Sequence, residues 1–196
     1  MNFLFHFLIR WLLTCLLTLC LIGPSYTSTK YEQNLPIYET INKINANVIF
    51  LRHALAPGMG DPKNFKLKDC STQRNLNRVG RKQAEEIGNF FRYNKVIFDE
   101  IVSSEWCRCK ETAVLMQLGQ WKTFVGLNSF FEGHVNKKKT LSLLNQKLDL
   151  IKSDKLVLMI SHQVVISAVT GKFVPSGGLV LYNSETGVSE YFKWEN

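Results

Sequence analysis

Histidine is scarce in this chain, four residues among 196, and of the five cysteines two, Cys15 and Cys20, fall in an apolar leader. The remaining Cys70, Cys107 and Cys109 have no fourth ligand-type residue spaced to close a tetrahedral zinc site, so neither a metal nor a cofactor is expected. No internal repeat is present, which argues against stacked-repeat architectures. Basic residues outnumber acidic ones, 24 to 16, but they are scattered along the chain. The one dense run, Lys137-Lys138-Lys139, has no interleaved aromatics or arginines and reads as a solvated loop, so no nucleic-acid surface is expected. The net charge of +8 favours anionic ligands instead. A hydrophobic content of 45% with 20% charged residues excludes a disordered chain, and 196 residues suffice for one domain with one sizeable core.

Residues 1–25 carry a single charge, Arg10, in an otherwise apolar run that gives way to Pro24-Ser25-Tyr26-Thr27-Ser28-Thr29. This has the make-up of a secretory signal peptide with cleavage near Ser25 or Ser28. The rival reading is an N-terminal membrane anchor through residues 1–23, which gives membrane association. Cys15 and Cys20 lack small residues in the two preceding positions, which argues against a lipoprotein cysteine. The chain is therefore expected to be exported, and periplasmic if bacterial. Residues 26–45 mix Lys, Glu, Asn, Pro and Tyr and read as a linker, leaving 46–196 as the domain.

Within that domain, strands and helices alternate. Val48-Ile49-Phe50-Leu51 has no helical period and reads as a buried strand ending in Arg52-His53. A long loop, 54–75, carries Pro57, Gly58, Gly60, Pro62 and Cys70. Asn77 caps a helix whose buried face is expected to hold Val79, Ala84, Ile87, Phe90 and Phe91. A second strand ends in Ser103-Ser104, a helix over 108–118 follows, and a third strand is expected over 123–127. Residues 129–139 read as a loop, where His134 suits a surface position, and 140–151 as a helix. The apolar run Leu156-Val157-Leu158-Met159-Ile160 predicts a central strand ending in Ser161-His162, with a short helix over 164–170 stopped by Gly171. A last strand over 178–182 has a partner over 191–194. The pattern predicts an α/β fold: a three-layer α/β/α sandwich around a doubly wound, mostly parallel sheet.

The carboxyl ends of parallel strands lie on one edge of such a sheet, so Arg52-His53, Ser103-Ser104 with Arg108, and Ser161-His162 can converge there. Two arginines offer planar forks of donors to phosphate oxygens. One imidazole can attack phosphorus while the other donates to the charge that develops on oxygen. Arg108 at a helix start would add the unpaired N–H groups of that helix to an anion site. From spacing alone, a structural role for both histidines is as good a reading.

The motifs sharpen this. Leu51-Arg52-His53-Ala54 resembles the Arg-His-Gly signature of the histidine phosphatase superfamily, the phosphoglycerate mutase-like group. Asn75-Leu76-Asn77-Arg78-Val79-Gly80-Arg81-Lys82-Gln83-Ala84 is similar to that family's helix start. Ser103-Ser104-Glu105-Trp106-Cys107-Arg108-Cys109-Lys110-Glu111-Thr112-Ala113 is similar to its Ser-Ser-x-x-x-Arg-x-x-x-Thr-Ala motif. Ile160-Ser161-His162-Gln163 stands where the second histidine falls. The resemblance implies a phosphoglycerate mutase-like fold, a phosphohistidine at His53, and a phosphate pocket of Arg52, Arg108 and His162. The small size, the leader and the loop before the first helix look closest to the exported bacterial branch that includes lipopolysaccharide core heptose phosphatase-like proteins.

Three departures stand out. Ala54 replaces glycine, which requires that its φ not be positive. Gln163 replaces the glycine after the second histidine and is a candidate substrate contact, as are Asn75 and Ser104. Leu127-Asn128-Ser129-Phe130-Phe131-Glu132-Gly133 matches a Leu-Asn-Glu-x-x-x-Gly pattern with serine in place of the proton-donating glutamate. No Asp follows His162 either, so Asp61 and Glu132 become the candidate acids. Cys70 is expected to pair with Cys107 or Cys109, fastening the long loop to the edge beside Arg108. These features predict a phosphoric monoester hydrolase acting on a phosphorylated small molecule or envelope sugar. The alternatives are a phosphohistidine or other phosphoprotein phosphatase, and a non-catalytic phosphate-ligand binding protein on the same fold.

Overall fold

A computed structural model describes residues 36–194. The leader 1–25 and the first half of the expected linker, 26–35, lie outside the described residues. The end of that linker is a helix, α1 (Pro36–Ile44), which buries Ile37, Tyr38 and Ile41. Its apolar residues occupy a single short stripe within polar surroundings, too brief to stand out as periodicity. Among the described residues no helix is long and apolar enough to cross a membrane.

The chain then runs β1 (Val48–Arg52), α2 (Arg78–Tyr93), β2 (Glu100–Ser103), α3 (Cys107–Met116), β3 (Lys122–Thr123), α4 (Lys137–Asp149), β4 (Val157–Ser161), α5 (Gln163–Thr170), β5 (Leu179–Tyr182) and β6 (Ser189–Phe192). The strands form one sheet in the order β3-β2-β4-β1-β5-β6. β1 to β4 run parallel, and β5 and β6 close one side antiparallel.

Alternation along the central strands makes the three layers. Ile49, Leu51, Leu158 and Ile160 face a core completed by α1, α2 and α3, through Ile37, Ile87, Phe91, Ala113 and Met116. Val48, Phe50, Val157 and Met159 face the opposite core, with Leu144 and Leu148 of α4 and Val165 and Ile166 of α5. This is the three-layer α/β/α sandwich expected from the pattern.

Local departures have local causes. Val79 is 60% exposed. It lies five residues before Ala84, well off the helical stripe of Gly80, Ala84, Ile87 and Phe91 that is buried. Gly80 is required there: a Cβ would come within 1.9 Å of the Leu55 carbonyl oxygen. Helix α2 therefore abuts the chain just after His53. The third strand is only Lys122–Thr123, and residues 125–127 coil into a 3-10 turn that still buries Leu127. Helix α4 begins earlier than expected because Asn136 caps it, its side chain accepting from the Lys139 amide at 2.9 Å. The lysine run 137–139 is thus the exposed first turn of a helix rather than a loop.

Of the two pairings left open for Cys70, the structure contains Cys70–Cys107, with Cα atoms 5.7 Å apart, and Cys109 is free and buried. A bridge spanning 37 residues is expected to stabilise the fold by about 4 kcal/mol through the entropy of the unfolded chain. Denaturant unfolding of the oxidised protein beside a Cys70→Ser/Cys107→Ser variant measures this; equal midpoints would contradict it.

Candidate active site

Strand pairing sets the centre of the site. Arg52 lies opposite Ser161 in the parallel β1–β4 ladder, and the His53 amide continues it by donating to the Ser161 carbonyl at 3.0 Å. The residues that follow, His53 and His162, therefore leave the sheet side by side, with ring centroids 5.4 Å apart. Both are buried, as is Arg108.

The protonation sites follow from the hydrogen bonds. His53 Nδ1 lies 2.8 Å from the Ala54 carbonyl oxygen, which can only accept. Nδ1 therefore carries the hydrogen and Nε2 keeps its lone pair. Ala54 is not among the residues with positive φ, and its amide donates to Thr112 Oγ1 at 3.1 Å. The alanine thus meets the condition that its substitution for glycine imposed.

For His162 the argument runs through Asn128. Its Nδ2 donates to Glu105 Oε2 at 2.6 Å, which orients the amide. Its Oδ1 therefore faces Ser104 Oγ at 3.1 Å and accepts the hydroxyl hydrogen. Ser104 Oγ must then accept from His162 Nε2 at 2.8 Å, leaving Nδ1 as the acceptor 3.4 Å from Arg108 Nη2. Ser104 thus orients His162. Cys109 Sγ lies 3.5 Å from the same Nε2, but burial pushes its thiol up to about 12, so it stays protonated.

Arg108 and Asp61 form a buried, forked ion pair, with Nη1–Oδ1 at 2.8 Å and Nη2–Oδ2 at 3.2 Å. Oδ1 also accepts from the Arg74 amide at 3.0 Å and Oδ2 from Trp106 Nε1 at 3.1 Å. Burial alone would raise this carboxyl, but the Arg108 and Arg74 hydrogen bonds and the Arg108 charge hold it below the usual range. Asp61 is an ionised acceptor with every lone pair in use, which is unfit for the acid role expected of it.

Glu132 lies 3.5 Å from His134 Nε2, and no hydrogen bond or ion pair among the described residues joins it to His53 or His162. It is exposed, accepts from the Asp61 amide at 3.1 Å, and touches the site only through that loop. Gln163 spends its amide on the segment after α5. Its Oε1 accepts from the Val174 amide at 2.9 Å, and its Nε2 donates to Ser167 Oγ and the Lys172 carbonyl. The Val174 carbonyl in turn accepts from Arg52 Nη1 at 2.9 Å, so Gln163 acts on the pocket by placing Arg52. Asn75 donates to the Cys70 carbonyl at 2.6 Å and steadies the turn that bears the disulfide. The first amide of α3, that of Cys107, is capped by Gln73 Oε1 at 2.9 Å, which removes it from the helix N–H groups expected to serve an anion.

Motif reading missed a third arginine. Arg74 binds the Gly60 carbonyl at 2.7 Å and the Ala56 carbonyl, and its charge is felt at both histidines. It also missed Trp106, wholly buried with its ring 5.3 Å from His162 and stacked on Phe65. Only the position of Arg74 beside the Asn75 motif could have flagged it.

The charges of three guanidinium groups thus act on both imidazoles, with one buried carboxylate paired to Arg108, and the Nε atoms of Arg52 and Arg108 are buried with no hydrogen-bond partner among the described residues. Burial, then the Arg108 charge, lowers the His53 pKa well below the ordinary histidine value, against the opposing Ala54 hydrogen bond. Burial, Arg108 and His53 do the same to His162. The arrangement is a neutral imidazole with a free Nε2 lone pair beside donors that can take an anion.

A family model, the histidine phosphatase superfamily (branch 1), matches residues 48–146. The chain belongs to that superfamily, and its His162, Arg108 and Asp61 network is that of a histidine-phosphatase hydrolase. No protein of curated function matches the chain in sequence. Among solved structures, the protein histidine phosphatase SixA complexed with tungstate is 17% identical with a TM-score of 0.51, the match covering 75% of this chain and 94% of that one. A mycobacterial glucosyl-3-phosphoglycerate phosphatase is 13% identical with a TM-score of 0.52, covering 76% and 98%. At these identities the likeness is one of fold.

The lowered histidine values have a defined sign. The unfolded chain takes up protons near pH ~6.5 and the folded chain only below that, so stability falls as pH drops from ~6.5 towards the folded values. Ring ¹⁵N spectra should show His53 and His162 neutral at pH values where an unperturbed imidazole has begun to protonate. Added inorganic phosphate should raise both transitions; protonation of both at the free-histidine value would contradict the burial argument.

Proposed function

We propose that this protein is an exported phosphomonoesterase that hydrolyses a small or envelope-sugar phosphate through a phosphohistidine at His53. The observation that carries the reading is the pair of buried, unpartnered Nε groups of Arg52 and Arg108 beside an imidazole whose Nε2 is unprotonated. A phosphoryl group between the arginines would satisfy both donors and offset the excess positive charge. His53 Nε2 attacks phosphorus, the arginines hold the equatorial oxygens, and water then discharges the phosphohistidine. Export is supported by the apolar leader and by the Cys70–Cys107 disulfide, which suits an oxidising compartment. The exposed lysines 137–139 favour an anionic substrate or surface.

Turnover of para-nitrophenyl phosphate should fall at least about a thousandfold in His53→Ala, which removes the nucleophile. A brief reaction with labelled substrate, quenched in alkali, should leave an acid-labile label on His53. Label on another residue, or label that survives the substitution, would refute the intermediate.

Hydrolysis rather than isomerisation is expected with phosphoglycerates. A mutase has to return the phosphoryl group to its intermediate before water arrives, with an acid/base group held over it. Here Ser129 stands at the acid position, and its hydroxyl accepts from the Phe131 amide at 3.3 Å. Following phosphate release and isomer exchange in one mixture decides the matter: release should be faster, and faster exchange would overturn the expectation.

A further inference from the structure

An alkoxide is a poor leaving group, and expelling it requires a proton donor beside phosphorus. The groups already described cannot supply one. Asp61 is saturated by four donors, Glu132 is exposed and bound to the Asp61 amide, and Ser129 is too weak an acid. His162 has its Nε2 hydrogen committed to Ser104 and its Nδ1 turned to Arg108.

A different carboxylate lies in the same network. Glu105 follows Ser104 at the end of β2 and is half-buried. It is clamped twice to Asn128, the residue just before Ser129. The Glu105 amide donates to Asn128 Oδ1 at 2.9 Å, and Asn128 Nδ2 donates to Glu105 Oε2 at 2.6 Å. The same Asn128 Oδ1 accepts from the Ser104 hydroxyl that orients His162. Only Asn128 and Ser104 therefore separate the carboxylate from the catalytic imidazole. Glu86, Glu100, Glu111 and Glu190 are all engaged by cations. Glu105 has no such partner among the described residues, and its Oε1 receives no hydrogen bond from them, so that oxygen is not committed to the fold.

We propose that Glu105 is the catalytic acid of this hydrolase, a carboxylate supplied from β2 where the chain has Ser129 beyond β3. The assignment rests on the phosphatase reading above. In the first step the His53 Nε2–P bond forms, the P–O bond to the leaving group breaks, and the Glu105 Oε1 proton passes to the departing oxygen. In the second step water attacks phosphorus, the P–N bond breaks, and a water proton returns to Glu105 as inorganic phosphate forms. The Asn128 amide stabilises the carboxylate between the two steps.

The test compares two substrates, because an acid matters for a basic leaving group and little for an acidic one. In Glu105→Gln, which keeps an oxygen for the Asn128 clamp, kcat/KM for ethyl phosphate should fall by about 10²–10⁴-fold, at least about tenfold more than for para-nitrophenyl phosphate. Equal losses on both substrates would mean a structural role and overturn the assignment, as would no loss on ethyl phosphate. Should the variant not fold, the wild-type enzyme still decides. A shallow dependence of kcat/KM on leaving-group pKa supports an acid, and a steep one refutes it. Wild-type protein that turns over neither substrate would sink the phosphatase reading itself, and the role of Glu105 with it.

Discussion

The site depends above all on the parallel pairing of β1 with β4. Arg52 sits opposite Ser161, and the His53 amide takes the next place in the ladder by bonding the Ser161 carbonyl. A slip of one residue would turn His53 and His162 away from each other, because side chains alternate faces along a strand. Burial opposes the slip: all five positions of β4 and the first four of β1 are inside, between two apolar layers. The register that satisfies the two cores is therefore the one that brings the two imidazoles together. β2 joins the same edge, with Ser103 opposite Ile160 and the Ser104 amide bonded to the Ile160 carbonyl at 2.9 Å.

Around that pair the protein concentrates positive charge. Arg52, Arg74 and Arg108 converge, and Asp61 balances only part of it. A buried forked ion pair is weak grounds for stability, since desolvation consumes much of the Coulomb gain. What it does here is hold the Arg108 fork still while leaving Nε unpartnered. The loop that brings Asp61 is itself tied down by the Cys70–Cys107 bridge, by Gln73 across Cys107, and by Arg74 to the Gly60 carbonyl. Loops of this length are usually mobile or functional; this one is fastened at its far end to the helix that carries Arg108.

The working groups are held largely through backbone carbonyls. His53 Nδ1 bonds Ala54, Arg52 Nη1 bonds Val174, and Thr112 links the Ala54 amide to the Arg108 carbonyl at 2.7 Å. Backbone oxygens carry no charge to titrate, so the orientation of the His53 imidazole does not depend on the charge held in the pocket. Gln163 belongs to this scaffold. It holds Val174, whose carbonyl holds Arg52.

The sequence by itself determined the layers, the central strands and the four groups at their ends. Apolar alternation and strand-end polarity are local properties, and a strand carries its side chains to the same edge whatever surrounds it. It also left Ser129 visible as a missing acid. Tertiary structure alone decided how those groups are used. Asp61 looked like a free carboxylate until the loop folded it onto Arg108, and Gln163 looked like a ligand contact until residues 172–174 took its amide. Residues 36–44 looked like linker because a two-turn helix shows too little periodicity to separate it from polar chain. Cys107 rather than Cys109 meets Cys70 because successive helical positions point about 100° apart, so the two cysteines of α3 face different neighbours. Such partners lie tens of residues apart in sequence, and spacing along the chain carries no record of which distant group will arrive; only closure of the fold supplies it.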